Sequence, residues 1–221
     1  MPRLQDDINR YKEKFVENVP EDVRNTMLEA TQKLKDEKLF NQALKVGDQI
    51  DSFSILNISN HVINIDEVLK KNDYAILSFY RGAWCPYCNM QLSRLQRILP
   101  ELKILHSQLF ALSPQAPDIS LSQKEKSDLK FEILCDKNNA LARKFRIVFT
   151  LDDTLKPIYE SFGIDILQSN KNGTFDLPLP ATFVINSNHE VVYAFVDEDY
   201  TNRSEPEDIL NAIKEDLKNR H

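Results

Sequence analysis

Cysteine, glycine and tryptophan are all scarce in this sequence. Its 221 residues include three cysteines, four glycines and one tryptophan. Secreted disulfide scaffolds carry many cysteines in even number, so three cysteines argue against that class of protein. In a reducing cytosol, two cysteines that lie close together are more often catalytic or metal-binding than structural.

Long apolar runs and an excess of positive charge are missing as well. No segment approaches the ~20 apolar residues that cross a bilayer, and the N-terminal residues lack the apolar core of a secretory signal. We therefore expect a cytoplasmic protein with no membrane partner. The formal net charge is -6, whereas a general nucleic-acid binder shows a basic face, so we expect no nucleic-acid partner.

The apolar pattern divides the chain into two parts. Over residues 4–44 apolar side chains recur at helical spacing, and Pro20 interrupts them, which predicts two helices. Beyond this region, short apolar strands alternate with helical segments. We therefore predict a helical extension over residues 1–45, which serves in packing or in a homodimer, and an α/β domain over residues 46–221.

Strands and helices alternate within the second part. Residues 74–80 are apolar on both faces, which is typical of a strand at the centre of a sheet. The other main elements predicted are strands at 104–112, 131–134, 181–185 and 191–196, and helices at 90–102, 119–127, 138–145 and 206–217. This order predicts a mixed sheet flanked by helices, whereas residues 150–176 show no regular pattern.

The residues that carry chemistry lie between 79 and 92, in the sequence FYRGAWCPYCNMQL. A buried strand ends here and a helix begins near Pro86, so we expect Cys85 at the N-cap and Cys88 in the first turn on the same face. The helix dipole and free N–H groups at that position lower the pKa of a thiol, and Arg81 adds positive potential. The spacing also lets the two sulfurs form a disulfide.

Other interpretations of the cysteines are weaker. Zinc requires four ligands, but there is no second Cys-x-x-Cys and the four histidines show no paired spacing, so we expect no metal. Two inert buried thiols are the remaining alternative for this pair. The third cysteine, Cys135, follows a predicted strand and is interpreted as a small buried residue rather than a resolving thiol.

The chain resembles the peroxiredoxin-like branch of the alkyl hydroperoxide reductase/thiol-specific antioxidant family, within the thioredoxin superfamily. The resemblance runs from about residue 46 to the C-terminus and rests on VGDQIDSFSILN, FYRGAWCPYCNMQL, ALSPQAPDIS, LPLPATFVIN and DYTNRSEP. It implies a thioredoxin-like fold with an N-terminal helical extension. It also implies reduction of peroxides by a cysteine that thioredoxin or a low-molecular-weight thiol regenerates, with no bound cofactor.

The resemblance suggests which residues support the catalytic pair. Pro180 stands where thioredoxin-fold proteins place a cis-proline against the redox cysteines, so a cis bond is expected there. Arg203 matches a late D-Y-T-x-R motif near the site, although a surface ion pair with Glu205 is an equal alternative. Arg81 and Trp84 of the active turn complete the predicted supporting residues.

The sequence departs from the ordinary peroxiredoxin pattern P-x-x-x-T-x-x-C. Alignment puts Arg81 at the proline, Cys85 at the threonine and Cys88 at the peroxidatic cysteine. The arginine of the later strand is replaced by Pro180 or its neighbours, so one hydroxyl and one guanidinium are expected to be missing. On this alignment Cys88 attacks peroxide, whereas Cys85 would attack in a thioredoxin. The sequence also leaves open a thiol–disulfide oxidoreductase and a non-catalytic interaction module.

Overall fold

The structure of the protein is a computed structural model that describes residues 3–220. Both helices predicted for the extension are present, α1 over Leu4–Asn18 and α2 over Glu21–Asp36. Pro20 lies between them as the N-cap of α2, where its lack of an N–H breaks no helical hydrogen bond. Residues 1 and 2 of the predicted extension (1–45) and residue 221 of the predicted α/β domain (46–221) lie outside the described residues.

The elements after the extension follow in chain order. The strands are β1 (Ser54–Leu56), β2 (Val62–Asn64), β3 (Tyr74–Phe79), β4 (Ser107–Ser113), β5 (Glu132–Cys135), β6 (Val148–Thr150), β7 (Asp176–Pro178), β8 (Ala181–Asn186) and β9 (Val191–Val196). The helices are α3 (Ile65–Leu69), α4 (Pro86–Arg97), α5 (Leu99–Ile104), α6 (Pro117–Lys126), α7 (Ala140–Lys144), α8 (Lys156–Ser161), α9 (Ile166–Asn170) and α10 (Pro206–Asn219).

A five-stranded mixed sheet in the order β5-β4-β3-β8-β9 forms the centre of the fold. Strands β3, β4 and β5 run parallel, β8 runs antiparallel to β3, and β9 pairs antiparallel with β8. Every residue of β3 is buried, because helices and the core cover both faces of the sheet. The mixed sheet flanked by helices confirms the predicted fold class.

Two boundaries differ from the sequence prediction for physical reasons. The predicted helix over 90–102 is two helices, α4 and α5, because Pro100 lacks an N–H and cannot continue the first one. The strand predicted from residue 104 starts at Ser107, since α5 extends to Ile104. Residues 150–176, which show no pattern in the sequence, hold the short helices α8 and α9 and end in β7.

Two contacts near the N-terminus of α1 fix this helix to the rest of the molecule. The Glu205 carboxylate accepts hydrogen bonds from the backbone N–H groups of Leu4 and Gln5, both at 2.9 Å. Asp7 forms an ion pair with Arg94 of α4. A carboxylate at a helix N-terminus compensates the free N–H groups and the dipole, so Glu205 stabilises α1 in this position.

Within residues 3–220, none of the helices has the length and apolarity that crossing a bilayer requires.

Candidate active site

The two cysteines lie where the chain leaves the central strand and enters α4. Cys85 has an extended backbone (φ −88°, ψ 112°) and is the N-cap of the helix, Pro86 is its first residue, and Cys88 is in the first turn. Proline suits the first helical position because the N–H it lacks has no helical partner there. The predicted positions of both cysteines at the helix N-terminus are therefore confirmed.

A small hydrogen-bond network holds the turn before the helix. The Cys85 N–H donates to the Gly82 carbonyl at 3.1 Å, and the Ala83 N–H donates to Oε1 of Gln115 at 2.7 Å. Asn89 of α4 donates its side-chain amide to the Ala83 carbonyl at 2.8 Å. Because a side chain from the loop after β4 completes the turn, its shape depends on tertiary packing as well as on local sequence.

Gly82 leaves no room for a side chain in this turn. A Cβ at this position would lie 2.4 Å from Nε1 of Trp84 and 3.0 Å from Oε1 of Gln115. We expect Gly82→Ala to displace the indole ring and to lower the free energy of unfolding by about 1–3 kcal/mol, as other overpacked sites do. Thermal unfolding and the fluorescence of Trp84, the one tryptophan, measure both effects.

The matched control for this substitution is Gly173→Ala. Gly173 also has a positive φ (+72°), but a Cβ there meets no atom within 4 Å. The control is expected to lose some stability through backbone strain and to leave the emission of Trp84 unchanged. Equal changes in emission for both variants would contradict the crowding argument.

Two guanidinium groups converge on the cysteine sulfurs. Nη2 of Arg81 donates to Sγ of Cys85 at 3.3 Å. Nη2 of Arg203 lies 3.7 Å from Sγ of Cys85 and 3.4 Å from Sγ of Cys88. Both cysteines are free thiols and fully buried. The site therefore concentrates positive charge on two sulfurs that bulk water does not reach.

This environment separates the acidities of the two thiols. Burial alone would raise the pKa of Cys85, but the hydrogen bond from Cys88 and the charges of Arg81 and Arg203 hold it well below its ordinary value. Burial and the same hydrogen bond raise the pKa of Cys88 well above its ordinary value. At neutral pH the arrangement favours a Cys85 thiolate that accepts a hydrogen bond from a protonated Cys88.

Neutral groups orient the Arg81 guanidinium. Nη1 of Arg81 donates to the hydroxyl of Tyr159 at 2.9 Å, and its guanidinium lies 4.3 Å from the ring centroid of Tyr200 and 5.0 Å from that of Trp84. These groups hold the positive charge in place without neutralising it.

Arg203 is held in the same way. It donates to Oε1 of Gln91 at 3.2 Å and to the Tyr200 carbonyl at 2.7 Å. None of the ion pairs found in residues 3–220 involves Arg81 or Arg203. Two buried cations without carboxylate partners favour an anionic sulfur between them.

The structure brings Arg203 to the cysteines, which decides between the two alternatives for this residue and corrects the expectation of a missing guanidinium. The side chain is 5% exposed, so it forms no surface ion pair, and the carboxylate of Glu205 caps α1 instead. The site also does not lack a second guanidinium, since Arg203 supplies it from the loop between β9 and α10. The alignment with ordinary peroxiredoxins sought the arginine near Pro180, directly before β8, whereas Arg203 follows β9.

The expected cis bond before Pro180 is wrong, because no peptide bond in the described chain is cis. Backbone hydrogen bonds hold the chain on both sides of this peptide bond: the Leu179 N–H donates to the Ile147 carbonyl at 2.7 Å, and the Pro180 carbonyl accepts from the Asp197 N–H at 3.4 Å. The trans form is the default even before proline. Pro180 is buried and lines a cavity of about 270 Å³ together with Arg81 and Tyr200.

Several residues of the site were not predicted from the sequence. Gln91 lies three residues after Cys88 on α4, and Tyr200 belongs to the motif that contains Arg203. A sequence feature that could have indicated their place in the site was therefore present for both residues. Tyr159 lies in the irregular segment 150–176 and had none. Trp84, which was predicted, packs edge-to-face with Tyr159 at 5.7 Å between ring centroids.

The third cysteine lies apart from the two arginines. Cys135 ends β5, is half-buried, and lines a separate cavity of about 580 Å³. Burial raises its pKa to about 11. A protonated thiol is a weak nucleophile, which agrees with the structural role predicted for it. In the described part of the chain, no group of three or more His, Cys, Asp or Glu side chains is arranged to hold a metal ion.

Comparisons with known proteins show which family this chain belongs to. A family model described as the AhpC/TSA family matches residues 46–194, about two thirds of the chain. Peroxiredoxin bcp of Haemophilus influenzae is 29% identical over 104 residues, which cover 47% of this chain and 66% of that protein, just under two thirds of its length. The thiol-disulfide oxidoreductase ResA of Bacillus thuringiensis is 24% identical over 128 residues, which cover 55% of this chain and 72% of that protein.

The fold also matches solved structures. The crystal structure of peroxidoxin BcpB from Mycobacterium tuberculosis superimposes with a TM-score of 0.61 and 15% identity, covering 78% of this chain and 97% of that one. At this level of identity the match establishes the architecture alone.

Proposed function

We propose, because the chain belongs to the AhpC/TSA family, that it is a thiol peroxidase that reduces hydrogen peroxide or organic hydroperoxides. The observation that carries the proposal is the pair of unneutralised guanidiniums, Arg81 and Arg203, on the Cys85 sulfur. They stabilise the thiolate that attacks, and they are placed to donate hydrogen bonds to the peroxide oxygens as the O–O bond lengthens.

The reaction is a two-electron transfer that the cysteine pair completes. The Cys85 thiolate attacks one peroxide oxygen, an S–O bond forms, and the O–O bond breaks. The leaving oxygen takes a proton from solvent and departs as water or an alcohol, so Cys85 becomes a sulfenic acid. The Cys88 sulfur then attacks the Cys85 sulfur, the S–O bond breaks, and water leaves with the proton of Cys88.

The geometry favours Cys85 as the attacking cysteine. Cys85 accepts hydrogen bonds from Arg81 and Cys88, and its pKa is lowered, whereas the pKa of Cys88 is raised. This assignment differs from the alignment with ordinary peroxiredoxins, which places the attack on Cys88. It agrees with the order of attack in a thioredoxin, which the sequence left equally open.

Both sulfurs are sealed in this structure, so reaction with peroxide requires a local movement. Arg81, which donates to the Cys85 sulfur, and Tyr200 both line two cavities that Cys85 itself does not line. The closed arrangement also keeps bulk water from the thiolate, which strengthens the electrostatic effect of the arginines.

The cycle needs an external reductant. A dithiol of the thioredoxin type or two molecules of a low-molecular-weight thiol would open the Cys85–Cys88 disulfide and return both thiols, with the electrons coming from the reductant. The same proposal includes three further points. Residues 1–45 form an extension separate from the α/β domain, the protein forms a homodimer, and it is cytoplasmic. The family match begins at residue 46, which supports the boundary.

A thiol–disulfide oxidoreductase is the second candidate. The match to ResA and the acidic first cysteine of a Cys-x-x-Cys pair at a helix N-terminus support it. In that reaction Cys85 would attack a disulfide instead of a peroxide, and Cys88 would release the mixed disulfide.

One experiment separates the two candidates. The reduced protein is mixed with hydrogen peroxide in a stopped-flow instrument, and the products are trapped and identified by mass spectrometry. A peroxidase is expected to form a Cys85–Cys88 disulfide stoichiometrically through a sulfenate, much faster than a free thiol reacts. Oxidation no faster than that of a free thiol, together with rapid reduction of insulin disulfides, would establish the second candidate instead.

A further inference from the structure

An apolar cavity of about 350 Å³ lies between the N-terminal helices and the active turn. Tyr11 and Phe15 of α1, Val19 at its C-cap and Met27 of α2 form one side of this aromatic cavity. The opposite side is formed by aromatic residues of the active site, namely Trp84, Tyr87, Tyr159 and Tyr200. The volume is in the range of cavities that hold small molecules.

The cavity ends at the groups that act on Cys85. Arg81 and Pro86 both line it, and Pro86 directly follows the cysteine. Nε of Arg81 and Nε1 of Trp84 are buried N–H donors without a hydrogen-bond partner among the described residues. Arg81 itself is 3% exposed. These two donors are covered by the wall of the cavity, and the wall itself is mainly aromatic and aliphatic, which fits the apolar part of an organic molecule.

A second cavity reaches the same arginine from the other side, and its chemistry is different. It has a volume of about 270 Å³, and its lining mixes apolar side chains with charged ones, including Lys33, Glu37, Asp152 and Glu198. Arg81, Tyr159 and Tyr200 separate the two cavities. The aromatic cavity is larger and has a more apolar lining than this mixed cavity, so an apolar organic group is expected to bind more favourably in the aromatic cavity.

We infer that the aromatic cavity binds the organic group of a bulky arylalkyl hydroperoxide, and that Tyr11, Phe15 and Val19 determine this specificity. The inference rests on the proposed peroxidase function and adds the substrate class. All three residues precede the segment that matches the family, residues 46–194. The organic group stays in the cavity while the Cys85 thiolate attacks the terminal oxygen, the O–O bond breaks, and the alkoxide takes a proton from solvent and leaves as an alcohol.

The test fills the cavity from a wall residue that takes no part in the chemistry. Val19→Trp places a large ring in the cavity at a half-buried position. Val16→Trp is the matched control, because Val16 lies on the same helix, is 51% exposed and does not line the cavity. The rate constants for the first oxidation by cumene hydroperoxide and by hydrogen peroxide are measured for the wild type and both variants.

We expect the wild type to react faster with cumene hydroperoxide than with hydrogen peroxide. Val19→Trp should lose roughly tenfold or more of the cumene hydroperoxide rate, the range that an apolar pocket discriminates, and keep the hydrogen peroxide rate. Val16→Trp should change neither. Equal losses for both peroxides in Val19→Trp, or no loss at all, would overturn the inference.

A second measurement keeps the test valid if the first variant folds poorly or the protein reduces no peroxide. Cumyl alcohol, the product, is titrated against Trp84 fluorescence, and Phe15→Ala replaces Val19→Trp as the altered wall. Saturable quenching in the wild type that weakens in Phe15→Ala supports the cavity as the binding site. Quenching without any rapid oxidation would mean that the proposed peroxidase function has failed. Rapid oxidation by hydrogen peroxide without quenching would mean that only the specificity inference has failed.

Discussion

Cys85→Ser is expected to lose the rapid reaction with peroxide, by about 10³-fold or more, because it removes the attacking thiolate. Cys88→Ser is expected to keep the first oxidation within about threefold, since the serine hydroxyl can still donate a hydrogen bond to the Cys85 sulfur. That variant should stop at the sulfenic acid, which dimedone traps, and lose turnover with an external dithiol. Stopped-flow kinetics and mass spectrometry of the trapped protein measure both outcomes.

Cys135→Ser is the control for these two variants. Its thiol is half-buried and lies in a separate cavity, so the substitution should change neither the first oxidation nor turnover. The opposite pattern, with a sulfenic acid on Cys88 in Cys85→Ser and no oxidation in Cys88→Ser, would show that the alignment with ordinary peroxiredoxins gives the correct attacking residue.

Local signals were sufficient to predict the central part of the molecule. An uninterrupted apolar run marked β3, and a proline directly after Cys85 marked the start of α4, so the position of both cysteines followed from short-range chemistry. The two helices before the α/β domain followed from apolar spacing and Pro20. Each of these features is fixed by residues that are close together in the chain, and sequence patterns report such features well.

The rest of the site depends on contacts between distant parts of the chain. Arg203 contacts the sulfurs although it lies more than a hundred residues further along the chain. Its sequence motif does not predict the path of the loop after β9. Tyr159 comes from short helices whose length gives no measurable period. The choice of attacking cysteine also depended on these residues, because the arginines and not the spacing of the cysteines separate the two pKa values.

Arg203→Met is expected to make the peroxide reaction strongly pH-dependent. In the wild type the pKa of Cys85 is held well below its ordinary value, so the rate of the first oxidation should change little with pH above neutral pH. Removal of the guanidinium raises this pKa. Each unit of increase lowers the thiolate fraction about tenfold at a pH below the new pKa. We expect the rate at neutral pH to fall about 10²-fold and to rise again with pH.

The rate and the ultraviolet absorbance of the thiolate are followed together across the pH range, because a purely structural defect would not shift the titration. Arg81→Met should give the same shift, since that side chain also donates to Sγ of Cys85. Arg143→Met is the matched control. Arg143 is exposed and forms an ion pair with Asp176 instead of donating to a cysteine sulfur. Only the loss of Arg203 removes a donor shared by both sulfurs. In the double variant Cys88→Ser/Arg81→Met, the two shifts in the pKa of Cys85 should therefore add. In Cys88→Ser/Arg203→Met the combined shift should be smaller than the sum, as expected for groups that act on one another.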